Sequence, residues 1–269
     1  MKMEEINDLD SLGRITGIGR VISTTRLNIG NPDVTKYLID SENGKYLQKI
    51  YQKRLPEHLP FVRYLSEKQF PCSRLMLPRE GIVLFQGMPS SVFSFVPGSK
   101  KEYLSLEDIT SAARLLARMH ILGKEYSNKT DEPSRGMVHG DFHQENLIFN
   151  EERVSLIDFD SLKYADLVSD IGTFIFYYLL KRRGSPCLRQ QQVFLEDYNS
   201  ARLIGSADLT RIPEEIIKNG RLFIDYSELR HSQGRINNAR LQRRKNLVKK
   251  LNSTVTKIRG FYQKLSRRI

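Results

Sequence analysis

Tryptophan is absent from this sequence of 269 residues, and cysteine nearly so. The two cysteines, Cys72 and Cys187, are too few and too far apart for a disulfide framework or a zinc site, so a reducing compartment is expected. No apolar run approaches the roughly 20 residues that span a bilayer; the longest covers residues 171–180. The first ten residues are acidic and lack the apolar stretch of a signal peptide. The expectation is a cytoplasmic protein with no transmembrane segment. Internal repeats and low-complexity tracts are also missing. Acidic residues are scarce in one region only. Up to Ile217 there are 28 basic and 29 acidic residues, whereas the last 52 residues carry 15 basic against Asp225 and Glu228 alone. The formal charge of +12 therefore belongs to a tail. The charge therefore does not argue for a nucleic-acid-binding protein as such; it bears on an acceptor pocket or a docking surface.

With 39% hydrophobic and 28% charged residues the chain is globular and long enough to bury a sizeable core. Its first hundred residues read as strands at 37–40, 46–51 and 82–86, the first two joined by a Glu42-Asn43-Gly44 hairpin turn. Residues 59–68 read as a helix, and a further apolar run at 92–96 stops at Pro97-Gly98. The period then changes. Leu106, Ile109, Ala113, Leu116, Met119 and His120 make residues 105–123 an amphipathic helix ending at Gly123, and from Asp170 onward the pattern is helical. The expected architecture is α+β: a small strand-rich lobe over 1–97, a connector at 96–100 and a larger helical lobe over 98–269. It ends in a basic helix, 236–269. There Val248, Leu251, Val255, Ile258, Tyr262 and Leu265 form a stripe. Packing on its own lobe, with Arg243, Arg244, Lys245, Lys249 and Lys250 solvated, is the leading reading. An oligomer through this helix as a coiled coil, a peripheral contact with an anionic membrane and nucleic-acid binding are the alternatives.

Residues 137–160 read M-V-H-G-D-F-H-Q-E-N-L-I-F-N-E-E-R-V-S-L-I-D-F-D. A polar loop enters a short hairpin, 147–150 with 154–157, and an acidic pair leaves it. Asp141, Asn146 and Asp158 are the hard oxygen ligands that magnesium on a phosphate would accept. The segment resembles the catalytic loop and metal motif of the protein-kinase-like superfamily. Gly140 and Asp160 bring it closer to the aminoglycoside phosphotransferase and choline kinase branch. The resemblance implies a two-lobed kinase-like fold, ATP and Mg2+ as cofactors, Asp141 as catalytic base, and Asn146 and Asp158 as metal ligands. His139 would pack under the loop, and a carboxylate at Asp170 would cap its backbone amides.

Strand parity puts Lys49 on the face expected of a phosphate-gripping lysine; Lys45 and Lys53 share the parity at less suitable positions. Glu57 is the first candidate for its helix partner and Glu67 the second. Backbone groups of Ser94 and Val96 would meet the adenine edge. Residues 28–33 are either the phosphate-covering loop or a surface turn. Only eleven residues separate Asp158 from Asp170, with no A-P-E, which leaves no room for a peptide-docking segment. The acceptor is therefore expected to be a small hydroxyl-bearing molecule, and the basic tail favours an anionic or neutral one. The rival reading is a catalytically silent kinase-like structural or regulatory protein of the spore-coat type.

Overall fold

Short alternating segments of the first hundred residues assemble a six-stranded sheet. The computed structural model describes residues 2–28, 33–53, 57, 59–76, 81–128, 132–151 and 153–268. The chain divides into two units, Met1–Gly98 with Ser155–Asp160, and Ser99–Val154 with Ser161–Ile269. The smaller unit contains β1 (Lys2–Ile6), α1 (Leu9–Thr16), β2 (Val21–Leu27), β3 (Val34–Ser41), β4 (Gly44–Tyr51), α2 (Leu59–Glu67), β5 (Gly81–Phe85) and β6 (Met88–Ser94). Strand order is β1-β5-β6-β4-β3-β2. Pairing is antiparallel except where β1 runs parallel to β5. The expected β3–β4 hairpin is present, with Ser41 opposite Gly44. A second hairpin joins β5 to β6 through Gln86 and Gly87, both at positive φ, the backbone a tight primed turn demands. Ile6, Leu12, Ile18, Ile39, Ile50, Val83 and Val92 form the core of this unit. Asp8 caps α1 by accepting from the Ser11 amide at 2.7 Å. Helix α2 begins at Leu59 with Pro60 in its first turn, where a missing N–H leaves no bond unmade.

The larger unit holds α3 (Leu106–Ser127), β7 (Arg135–Val138), β8 (Leu147–Phe149), β9 (Val154–Leu156, at the boundary), β10 (Lys163–Asp166), α4 (Val168–Lys181), α5 (Leu188–Ala201), α6 (Ser206–Ser232), α7 (Asn238–Lys257) and α8 (Arg259–Leu265). Ser105 and Asp108 close a capping box at the start of α3. The helix runs through Gly123 to Ser127, so Gly123 is not its stop. A Cβ at Gly123 would lie 2.8 Å from the Cβ of Met137 on β7, which makes this glycine a close-approach residue. Strand β10 pairs antiparallel with β7, and β8 with β9 make a short hairpin.

The basic tail is not one helix over 236–269. It is α7 and α8, parted at Ile258. Val248, Leu251, Val255, Tyr262 and Leu265 are buried, and α6 packs against both helices. The stripe thus faces its own unit, which removes the seam a coiled-coil dimer would need. Arg244 departs from the solvated face expected of it and is half-buried. Among the described residues no helix is long and apolar enough to cross a membrane.

Candidate active site

In the smaller unit, Lys49 sits mid-strand on β4 with only 2% of its side chain exposed. Its Nζ lies 2.5 Å from Asp158 Oδ1 and 2.9 Å from Asp160 Oδ1. The Phe93 ring from neighbouring β6 faces the ammonium at 5.3 Å. The β3–β4 register sets Lys36 opposite Lys49, with its Nζ 3.9 Å from Asp158 Oδ2. Tyr51, two residues along the same face, donates its hydroxyl to Asp160 Oδ1 at 3.1 Å. Burial alone would raise the Asp158 carboxyl, but Lys49 and Lys36 outweigh it and hold the group well below the usual carboxylate range. Burial likewise pulls Lys49 down, and Asp160 and Asp158 reverse the sign, so its pKa is raised. Asp158 and Lys49 therefore face each other as carboxylate and ammonium near neutrality. Asp158 adopts φ 66°, a left-handed conformation that aspartate tolerates at some cost in strain.

Of the three lysines sharing the strand parity, Lys49 alone is buried. Lys45 is exposed, and Lys53 is exposed and pairs with Asp33 at 3.1 Å. The expected ion pair with Glu57 is corrected. Glu57 stands in an exposed turn before α2 rather than inside it, because the helix starts at Leu59, and the carboxylates at Lys49 are Asp158 and Asp160. Lys36 escaped sequence reasoning, although the hairpin register that pairs 41 with 44 also pairs 36 with 49. Ser94 commits its N–H to Arg74 O at 2.8 Å, and its Oγ accepts from the Arg74 amide at 2.8 Å. Val96 makes no backbone hydrogen bond among the described residues, so it keeps the free edge. Residues 29–32 of the anticipated phosphate-covering loop lie outside the described residues.

In the larger unit, the loop 139–146 is fixed from beneath by Asp170 at the start of α4. This fully buried carboxylate accepts from the His139 amide at 2.7 Å, the Gly140 amide at 2.8 Å and His120 Nε2 at 3.1 Å. The other ring nitrogen of His120 bonds the Tyr198 hydroxyl at 2.8 Å. Burial lowers the His120 pKa despite Asp170. Asp170 is itself lowered, its burial outweighed by His120. The pair is therefore neutral imidazole and carboxylate. Gly140 has φ 77°, and a Cβ there would lie 2.2 Å from Ser161 O, which explains a glycine at this position.

Asp141 follows with its side chain 39% exposed. Asn146 donates Nδ2 to Asp141 O at 2.9 Å and to Asp141 Oδ2 at 3.1 Å, and His143 Nε2 lies 3.3 Å from Asp141 Oδ1. His143 in turn rests on Tyr177 of α4, ring centroids 4.3 Å apart. Glu145 is tied to Lys181 at 2.5 Å. An accessible carboxylate is thus held in one orientation by two neighbours, the arrangement a general base needs.

Among the described residues no group of three His, Cys, Asp or Glu side chains gathers to hold a metal unaided. Magnesium asks for less. One or two carboxylates suffice when phosphate and water complete its shell. Each unit offers one candidate: the ionised Asp158, 35% exposed, in the smaller, and the Asn146 amide, its nitrogen already committed to Asp141, in the larger.

The chain resembles known proteins in sequence and in fold. A model of the "Phosphotransferase enzyme family" matches residues 127–204. A homoserine kinase of Xanthobacter autotrophicus is 20% identical, aligned over 66% of this chain and 72% of its own length. A homoserine kinase of Sinorhizobium fredii is 23% identical over 66% of this chain and 71% of its own. Among solved structures, amicoumacin kinase in complex with AMP-PNP, Ca2+ and Ami superposes with a TM-score of 0.67 at 17% identity, covering 86% of this chain and 88% of its own. Choline kinase of Streptococcus pneumoniae gives 0.62 at 14% identity, covering 91% and 98%. The chain shares the fold of these kinases, and the family match spans residues 137–160, on which the resemblance was read.

Proposed function

We propose, from a chain whose relatives by sequence and by fold are small-molecule phosphotransferases, that it transfers the γ-phosphoryl group of ATP to a hydroxyl of a small acceptor. The observation that supports this best is the Asp141 carboxylate, exposed on a loop whose backbone is fixed by Asp170 and whose side chain is oriented by Asn146 and His143. Asp141 accepts the hydroxyl proton as the acceptor oxygen attacks the γ-phosphorus. The bond to the β-phosphate oxygen breaks, and ADP leaves with that electron pair. Lys49 and Lys36 offer ammonium groups to phosphate oxygens, and Val96 offers its backbone to the adenine edge. Asp158 and Asn146 are the residues that would hold magnesium, which neutralises phosphate charge when bound. Catalysis on this account is positioning and charge neutralisation.

The test is coupled ADP release across a panel of hydroxyl acceptors. Asp141→Ala is expected to lower turnover about 100- to 10,000-fold with Mg-ATP affinity unchanged. Tight Mg-ATP binding with no turnover of any acceptor would instead favour the silent, structural reading.

A further inference from the structure

Helices α6 and α7 bring arginines together without the carboxylates that normally accompany them. The Arg244 guanidinium lies over the Phe223 ring at 5.1 Å and donates Nη1 to Ser227 Oγ at 3.0 Å. Arg230 lies over the Tyr226 ring at 5.7 Å, and its buried Nε has no hydrogen-bond partner. Arg240 stands one turn before Arg244 on α7, four residues away and so on the same side. Burial first, then Arg240 and Arg230, depress the Arg244 pKa. The neighbouring carboxylate Glu228 is already taken by Lys245 at 2.6 Å. Neither Arg230 nor Arg244 has an ion partner among the described residues.

These arginines are linked to the catalytic loop by aromatic rings. Phe223 meets Tyr177 edge-on at 6.3 Å, and Tyr177 packs on His143, which contacts Asp141. Burial pushes the Tyr177 phenol up to about 12; the Asp141 carboxylate and Tyr226 add to the rise, and Arg244 opposes it. One phenol therefore feels both the loop carboxylate and the guanidinium. Like charges gathered half out of water are unfavourable, and one hydrogen bond to a serine does not offset that. An anion would. The planar fork of arginine matches a carboxylate or a phosphate with two parallel hydrogen bonds. Lys249 and Lys250 are exposed, as expected of a solvated face.

We infer that Arg230 and Arg244 bind an anionic group of the acceptor, a carboxylate or a phosphate monoester, while the acceptor's hydroxyl reaches Asp141. This rests on the phosphotransferase reading for its second half only. The anion site stands or falls by itself.

The test is calorimetric titration of the full chain with compounds that share hydroxyls and differ in one anionic group: glycerate against glycerol, and ribose 5-phosphate against ribose. The anionic member of at least one pair should bind about tenfold tighter or more than its partner. The carboxylate and phosphate arms tell the two anions apart. Arg230→Gln and Arg244→Gln should weaken that member about 10- to 100-fold, and Arg244→Lys, which keeps the charge but loses the fork, by less. If melting curves show that Arg244→Gln does not fold, Arg230→Gln decides, since its Nε has no partner to lose.

Three results would overturn the inference: uncharged members binding as tightly as anionic ones, both folded substitutions leaving anion affinity unchanged, or no anionic member binding at millimolar concentration. Anion binding through these arginines without any turnover would keep the site and sink the phosphotransferase reading. Turnover of uncharged or cationic acceptors alone would do the reverse.

Discussion

Lys49 and Arg244 are both cations drawn out of water, one in each unit of the chain. Lys49 has two carboxylates within 2.9 Å and an aromatic ring beside it. Arg244 has an aromatic ring and a serine hydroxyl, with two further arginines nearby. A buried charge with its counter-charges in place is self-sufficient, and removing one member of the set leaves the rest uncompensated at a large cost. A buried charge without them contributes little to stability and is informative about a ligand. The strand-rich unit thus carries its electrostatic complement within itself, whereas the helical unit leaves part of that complement to be supplied.

Breaking the balanced side should have the largest effect. Lys49→Met leaves Asp158 and Asp160 without their ammonium, and urea unfolding should show a loss of about 3 kcal/mol, at the low end for a broken buried pair because both carboxylates are partly exposed. Phosphoryl transfer should vanish with it. Asp170→Asn removes the charge that holds the His139 and Gly140 amides. It should cost about 2 kcal/mol and lower kcat more than Mg-ATP affinity, as read by unfolding and steady-state kinetics. Gly140→Ala forces a Cβ against Ser161 O at a left-handed backbone position, for a loss of about 1–3 kcal/mol and a displaced loop.

A smaller effect follows from His120. Its pKa is lowered in the fold, so the unfolded chain binds more protons and stability falls with acidification. The contribution is complete above the unfolded value of about 6.5 and lost as pH falls through the folded one. Melting temperature should therefore drop between pH 7 and pH 5, and His120→Gln should flatten that slope, though at a lower starting stability. The smallest effect sharpens the comparison. Arg230→Gln should change stability by no more than about 0.5 kcal/mol, or raise it slightly by relieving repulsion, while anion affinity collapses.

What the sequence shows of this contrast differs between the two sides. Lys49 was legible because a strand of period two fixes its face, and Asp141, Asn146 and Asp158 because their chemistry is packed into two short motifs. Asp170 was legible by its distance along the chain from Asp158. Glu57 was not placed correctly, since two prolines blur a helix start that only the fold settles at Leu59. Strand β1 left no usable signal, because its partner β5 lies some seventy-five residues away and pairs in parallel. The anion site was present only as a sum, the +13 of the last 52 residues. Which arginines face inward depends on how α6 and α7 pack, and Arg243 and Arg244, adjacent in sequence, end on different sides.

The central claim is phosphoryl transfer to an acceptor hydroxyl with Asp141 as base. Mass spectrometry of the acceptor panel after incubation with Mg-ATP tests it most directly. The account predicts a phosphomonoester of an anionic acceptor with the unaltered chain and none above background with Asp141→Asn. Equal product from Asp141→Asn, or no phosphomonoester from any acceptor despite bound Mg-ATP, would contradict it.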